Sequence, residues 1–266
     1  MEELSIRRET IPLSKGLPGK GLLVAGGAAL LFTLCGTYLD ISPLDALLGF
    51  PQFAAFFVTR FLPPAFSHIA QYLPTVLDTV LFAVVATYLS AFLAFVFGLL
   101  MSEFNPVPPL RQLVRFAVSF LRNVPVLVWA SLLVYVFGVG EIVGLLALVA
   151  ATLGFLARSY AESINEVISS RLEALTATGA GLGQVLIHGL IPEFIPAWIS
   201  WTLFSFEINI RASTILGMVG AGGIGVLIQT NLKLFQYQEA CAIVLIVIAI
   251  VLITEFLTNK ARGLIH

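Results

Sequence analysis

The chain has 266 residues, 59% of them hydrophobic and 11% charged, with a mean hydropathy of +1.00, whereas a soluble domain carries roughly a quarter charged residues. That surplus of apolar surface excludes a water-soluble fold and points to an all-α membrane protein. A net charge of −1, with no Lys/Arg run and no basic-aromatic interleaving, argues against nucleic acid as a partner.

Residues 1–20 are polar and basic and are expected to form a cytoplasmic N-terminal segment. The 19 uncharged residues from Gly21 to Leu39 follow. They resemble the start of a signal peptide but run too long for one, and are expected as an uncleaved first span. A bilayer core of about 30 Å takes about 20 helical residues. By that measure the spans are about 21–39, 73–101, 119–139, 141–158, 194–215 and 237–257, about six in a single transmembrane domain over 21–266. Residues 40–72, with Phe50, Phe53, Phe56, Phe57, Phe61 and Phe66 broken by Pro51, Pro63 and Pro64, fit a periplasmic segment lying in the interface. The longest inward connection, about 159–193, carries Glu162, Glu166, Arg171 and Glu173. It is too polar to span and is the natural docking surface for a cytoplasmic partner.

An even number of spans puts both termini on one side. With the N-terminus cytoplasmic, eleven Lys and Arg lie inside or at the inner boundary, and only Arg60, Arg211 and Lys233 lie outside. Basic loops resist translocation, so this bias assigns both termini to the cytoplasm.

Cys35 and Cys241 are far apart in apolar runs, and His68, His188 and His266 share no ligand spacing. No metal or disulfide is expected. Gly220, Gly222, Gly223 and Gly225 fit a dinucleotide-type glycine pattern, yet no strand precedes them and a span does. In a membrane such glycines permit a re-entrant turn or close helix approach where irregular backbone is buried or lines a cavity. No phosphate-binding loop with its lysine occurs, so ATP and magnesium must be held by another subunit, and no cofactor is assigned to this chain.

Glu207 and Arg211 stand four residues apart in the fifth span, the favourable order for a pair on one helix face, and Asn209 adds a polar group nearby. Charge at membrane depth costs about 2.5–3.5 kcal/mol per residue on insertion scales unless it is paired or faces water. Two readings stay open. Glu207, Asn209, Arg211 and the glycines 220, 222 and 223 line a translocation path or gate, with Arg211 attracting an oxyanion, or the ion pair fixes the span against a neighbour. Arg122 and Asp78 read more simply as a snorkelling cation and a helix-start carboxylate, and Glu162 and Glu166 as a solvated face.

Glu173-Ala174, then Gly179 and, thirteen residues on, Pro192, resemble the coupling motif of binding-protein-dependent ABC importer permeases, with Leu175 at the usual second alanine. Further segments resemble the phosphonate branch of that family, which also takes in phosphite and hypophosphite. They include Phe61-Leu62-Pro63-Pro64, Asp78-Thr79, Arg122-Asn123-Val124-Pro125, Arg158 to Glu162, Ala177 to Ala180, and Phe206 to Arg211 leading to Gly220–Gly225. They keep the family's order over about residues 40–260.

The resemblance implies a type I importer permease fold in a bacterial inner membrane. It also implies a second permease copy, two cytoplasmic ATPase subunits that contact Glu173, Ala174, Gly179 and Pro192, a periplasmic binding protein, and no catalysis by this chain. A permease of the same architecture for methionine or an amino acid is the alternative. An intramembrane enzyme would need a facing nucleophile and base, which the spans lack, and a passive scaffold would need neither a coupling motif nor a charged pair.

Overall fold

A computed structural model describes residues 18–39, 43–168 and 179–264, and every regular element among them is helical. The chain divides into two units, 1–59 and 60–266.

In the first unit, α1 (Pro18–Tyr38) begins on a proline, which loses no hydrogen bond in a first turn. At 1.5 Å per residue its 21 residues span about 31 Å, the thickness of a hydrocarbon core. Thr33 and Thr37 turn their hydroxyls back onto the carbonyls of Ala29 and Thr33, 3.1 and 3.0 Å away, so neither presents an unmet donor to an apolar surround. The second helix, α2 (Pro43–Phe56), lies within the expected interfacial segment. It exposes Leu47, Leu48, Phe50 and Phe53.

The second unit is organised by two helices, α3 (Ile69–Met101) and α6 (Glu141–Val167). Small residues at three- and four-residue spacing on α3, namely Ala83, Ala86, Ser90, Ala94 and Gly98, form its buried stripe. They let the two backbones approach, and a Cβ added at Gly98 would lie 3.0 Å from that of Tyr160. The pairs Ser90–Val149 and Gly98–Tyr160 advance together along both helices, so α3 and α6 run parallel.

The crossover between them is α4 (Pro108–Asn123) and α5 (Val126–Phe137). Val114 and Val118 of α4 bury in the cluster of Leu156, Ala157 and Tyr160, while Leu113, Phe116 and Phe120 remain exposed. One continuous span over 119–139 is the sequence expectation; in the structure α4 and α5 meet there at 90°. Pro125 disfavours helical backbone at Val124, which is extended at φ −87°, ψ 118°.

Helix α6 touches α3, α4, α5 and the helix that begins at Ile191. It continues to Val167, past the expected end near Arg158, because Ala161 and Ile164 still bury and Arg158 is paired with Glu162 one turn on at 2.5 Å.

Residues 179–190 lead into α7 (Ile191–Leu216), followed by the turn Gly217–Ala221, α8 (Ile224–Lys233) and α9 (Tyr237–Gly263). Helices α7 and α8 bend by 56°. Among the described residues, four helices are long and apolar enough to cross a membrane singly, and up to six if each bent pair counts as one span. Tyr72 donates to Glu239 Oε2 at 2.8 Å and His68 Nδ1 stands 3.1 Å from Oε1, which ties the start of α3 to the start of α9.

Candidate functional site

The fifth expected span, α7, buries Glu207 and Asn209 two positions apart, among other polar residues, and the structure treats them differently. Asn209 is 2% exposed. Its Oδ1 accepts from Thr152 Oγ1 of α6 at 2.8 Å, and its amide donates to Thr87 Oγ1 of α3 at 2.9 Å. Thr87 passes its own proton to Ala83 O at 2.6 Å. Three helices are thereby joined by a neutral network in which both ends of the Asn209 amide are met.

Glu207 is also enclosed, its side chain 8% exposed, but it is charged. Arg211 Nη2 bonds its Oε1 from the next turn of α7. Arg262 Nη2, from the last turn of α9, approaches its Oε2 at 3.4 Å and also donates to Asn259 Oδ1 at 2.8 Å. Two guanidinium groups flank one carboxylate, so the trio carries a surplus positive charge. Arg262 is 27% exposed and Arg211 50%, which makes Arg211 the arm that reaches out of the protein.

The sequence pairs Glu207 with Arg211 and has no signal for Arg262, which reads only as an inner-boundary cation 55 residues away. Glu239, acting on both Tyr72 and His68, escapes sequence reasoning for the same reason. Asp78 is exposed on α3, beside buried Thr79.

Gly220, Gly222 and Gly223 have φ of +98°, +83° and +74°. The turn they make is held by Thr79 of α3, whose Oγ1 accepts from Ile224 N and donates to Thr75 O, both at 2.8 Å. A Cβ at Gly223 would stand 2.8 Å from that hydroxyl. Besides its left-handed backbone, Gly223 thus serves close approach between α3 and the start of α8. A small pocket beside the turn is lined by Thr79, Glu141, Ser213 and Gly222.

Of the expected coupling residues, Glu173 and Ala174 lie outside the described residues. Gly179 is exposed at φ +82°, and Pro192 is exposed in the first turn of α7, where its missing N–H is not needed. The charged trio therefore sits within α7, and the glycine turn follows its end.

The sequence pattern of the family described as "Binding-protein-dependent transport system inner membrane component" matches residues 94–264. The chain is 32% identical over 227 residues to the phosphite transport system permease protein PtxC of Stutzerimonas stutzeri, covering 85% of this chain and 82% of that protein. It is 32% identical over 271 residues to the phosphate-import permease protein PhnE of Mycolicibacterium smegmatis, spanning 98% of this chain and 50% of that longer protein. Among solved structures, an inward-facing form of the MetNI methionine ABC transporter superposes with a TM-score of 0.62 at 20% identity, over 73% of this chain and 97% of that one. That likeness is one of fold. The matched region holds Glu207, Arg211, Arg262 and the glycine turn, and leaves α1 and α2 outside it.

Proposed function

Because the chain belongs to the binding-protein-dependent transport system inner membrane components, the non-catalytic permease subunits of bacterial ABC importers, we propose that it carries a small phosphorus oxyanion inward across the inner membrane. The anion is a phosphonate, phosphite or hypophosphite, and the mechanism is alternating access between two permease copies. Two cytoplasmic ATPase subunits bind ATP and magnesium and dock on the connection containing Glu173, Ala174, Gly179 and Pro192. A periplasmic binding protein delivers the anion at the opposite face, and both termini are cytoplasmic.

The observation that carries this reading is the surplus positive charge of the Arg211–Glu207–Arg262 trio. A half-exposed guanidinium partly neutralised by a buried carboxylate attracts an oxyanion without trapping it, which a conduction site requires. The relatives named for phosphite and phosphate import support the same class of anion. The glycine turn, held by Thr79, gives the path a rigid wall.

ATPase activity of the reconstituted complex, assembled with its ATPase and binding protein, tests the proposal. Stimulation by phosphite, hypophosphite or a phosphonate is the expected result. Stimulation by methionine alone would replace the substrate class, and failure to form an ATPase complex would overturn the coupling assignment.

A further inference from the structure

The 90° break between α4 and α5 does more than turn the chain. It opens a groove of about 270 Å³ bordered by Arg122, Pro125, Val126, Thr152, Ser205 and Asn209, close to the lower end of the roughly 300–1,000 Å³ typical of small-molecule sites. The lining is apolar with few polar groups, as such sites are. Three features of those polar groups converge on an anion.

The first is charge. Arg122 is exposed and has no carboxylate partner among the described residues. Its backbone is nonetheless tightly placed, because it crosses α6 at Gly154, where an added Cβ would stand 2.6 Å from Arg122 N. The second is the start of α5. The first amides bonded within that helix are Val128 and Trp129, both donating to Pro125 O at 2.9 and 3.2 Å. The N–H groups of Val126 and Leu127 therefore have no helical acceptor, and Val126 places the positive end of the helix dipole at the groove. The third is independent of both. Ser205 is 2% exposed, its Oγ has no hydrogen-bond partner, and it borders the same groove from α7. A serine in a helix ordinarily bonds the carbonyl one turn back, and leaving such a hydroxyl unmet in the interior is unfavourable.

We propose that this groove is an oxyanion subsite of the transport path, in which the Arg122 guanidinium, the free amide of Val126 and the Ser205 hydroxyl bind the phosphorus oxyanion. The inference rests on the proposed function and adds to it a site distinct from the Glu207 trio. The helix start supplies a fixed donor and Arg122 a mobile charge. Ser205 adds a neutral donor that discriminates an oxygen-bearing ligand from an apolar one.

The test is uptake of phosphite by the complete transporter, with its ATPase and binding protein, in proteoliposomes, alongside the melting temperature of each purified variant. Arg122→Gln is expected to lower uptake about tenfold or more, with Arg122→Lys intermediate because it keeps charge but not the planar fork. Ser205→Ala is expected to lower uptake about threefold or more while leaving the melting temperature unchanged or higher, since an unmet buried hydroxyl is removed. Wild-type uptake in Arg122→Gln overturns the subsite, as does a Ser205→Ala loss that follows a drop in melting temperature. If Arg122→Gln fails to assemble, Ser205→Ala decides alone. A wild-type transporter that carries neither phosphite, hypophosphite nor methylphosphonate overturns the functional reading and the subsite with it, whereas normal wild-type uptake with unaffected variants overturns the subsite only.

Discussion

Asn209 and Glu207 are neighbours on α7, both enclosed, and they solve the problem of interior polarity in opposite ways. The Asn209 amide is met at both ends by neutral hydroxyls from α6 and α3 and has no group reaching solvent. Glu207 is met by two cations, one of which remains half exposed. A neutral, saturated network fixes helices in one arrangement. An ionic trio with an exposed arm leaves a charge that can act on something outside the protein. Polar residues in a span are thus not equivalent evidence of a path; what distinguishes them is whether their partners are neutral and enclosed or charged and exposed.

Four substitutions break or sharpen that contrast. The largest effect is expected for Glu207→Ala, which leaves both guanidinium groups, Arg262 27% and Arg211 50% exposed, without their carboxylate. Breaking a buried pair from one side costs about 3–5 kcal/mol; with both cations partly exposed the loss falls toward the low end, and the purified permease should lose thermal stability and uptake together. Next is Asn209→Ala, which strands Thr152 and the Thr87 lone pair at a cost of about 1–3 kcal/mol. Here the melting temperature should fall, and uptake should fall only in proportion to the folded fraction. A loss of uptake beyond that fraction would show that Asn209, which borders the Arg122 groove beside Ser205, also acts on the anion there.

Arg211→Ala reverses the pattern. Arg211 is half exposed, but it is the nearer partner of a carboxylate only 8% exposed, which keeps Arg262 at 3.4 Å; stability should fall by about 1–3 kcal/mol, while phosphite uptake falls further, about tenfold, through loss of the attracting charge. Dissociation of the ATPase complex in that variant would support the structural reading instead. The smallest effect is expected for His68→Ala at the far end of α3, where an exposed partner of Glu239 is lost and Tyr72 remains. A stability change of about 1 kcal/mol or less, with uptake unchanged, would show that this clamp only holds α3 to α9.

The lesson of the bent crossover is similar. Its apolar content marks 119–139 as a span, and Pro125 marks a place where a helix should stop. Neither signal predicts a right angle, because the angle depends on α4 lying against α6 through Gly154 and Val118. The groove at Arg122 exists only because of that angle. Read linearly, Arg122 is one more snorkelling cation. The glycine segment was legible as a turn from its composition, whereas the part played by Thr79, over 140 residues earlier, was not.

By itself the sequence determined the membrane class, the helical content and the positions of the apolar runs. It also determined the family, through motifs kept in order, and the Glu207–Arg211 pair. All of these are local properties, set by composition, by periodicity or by a spacing of one helical turn. Only the tertiary structure decided that Arg262 completes the charged trio, that Asn209 is absorbed by Thr152 and Thr87, and that Ser205 is left without a partner beside Arg122. Those outcomes join residues dozens of positions apart. They depend on how closely α3, α6, α7 and α9 pack, and close packing is fixed by small residues on facing helices, whose pairing no single stretch of sequence encodes.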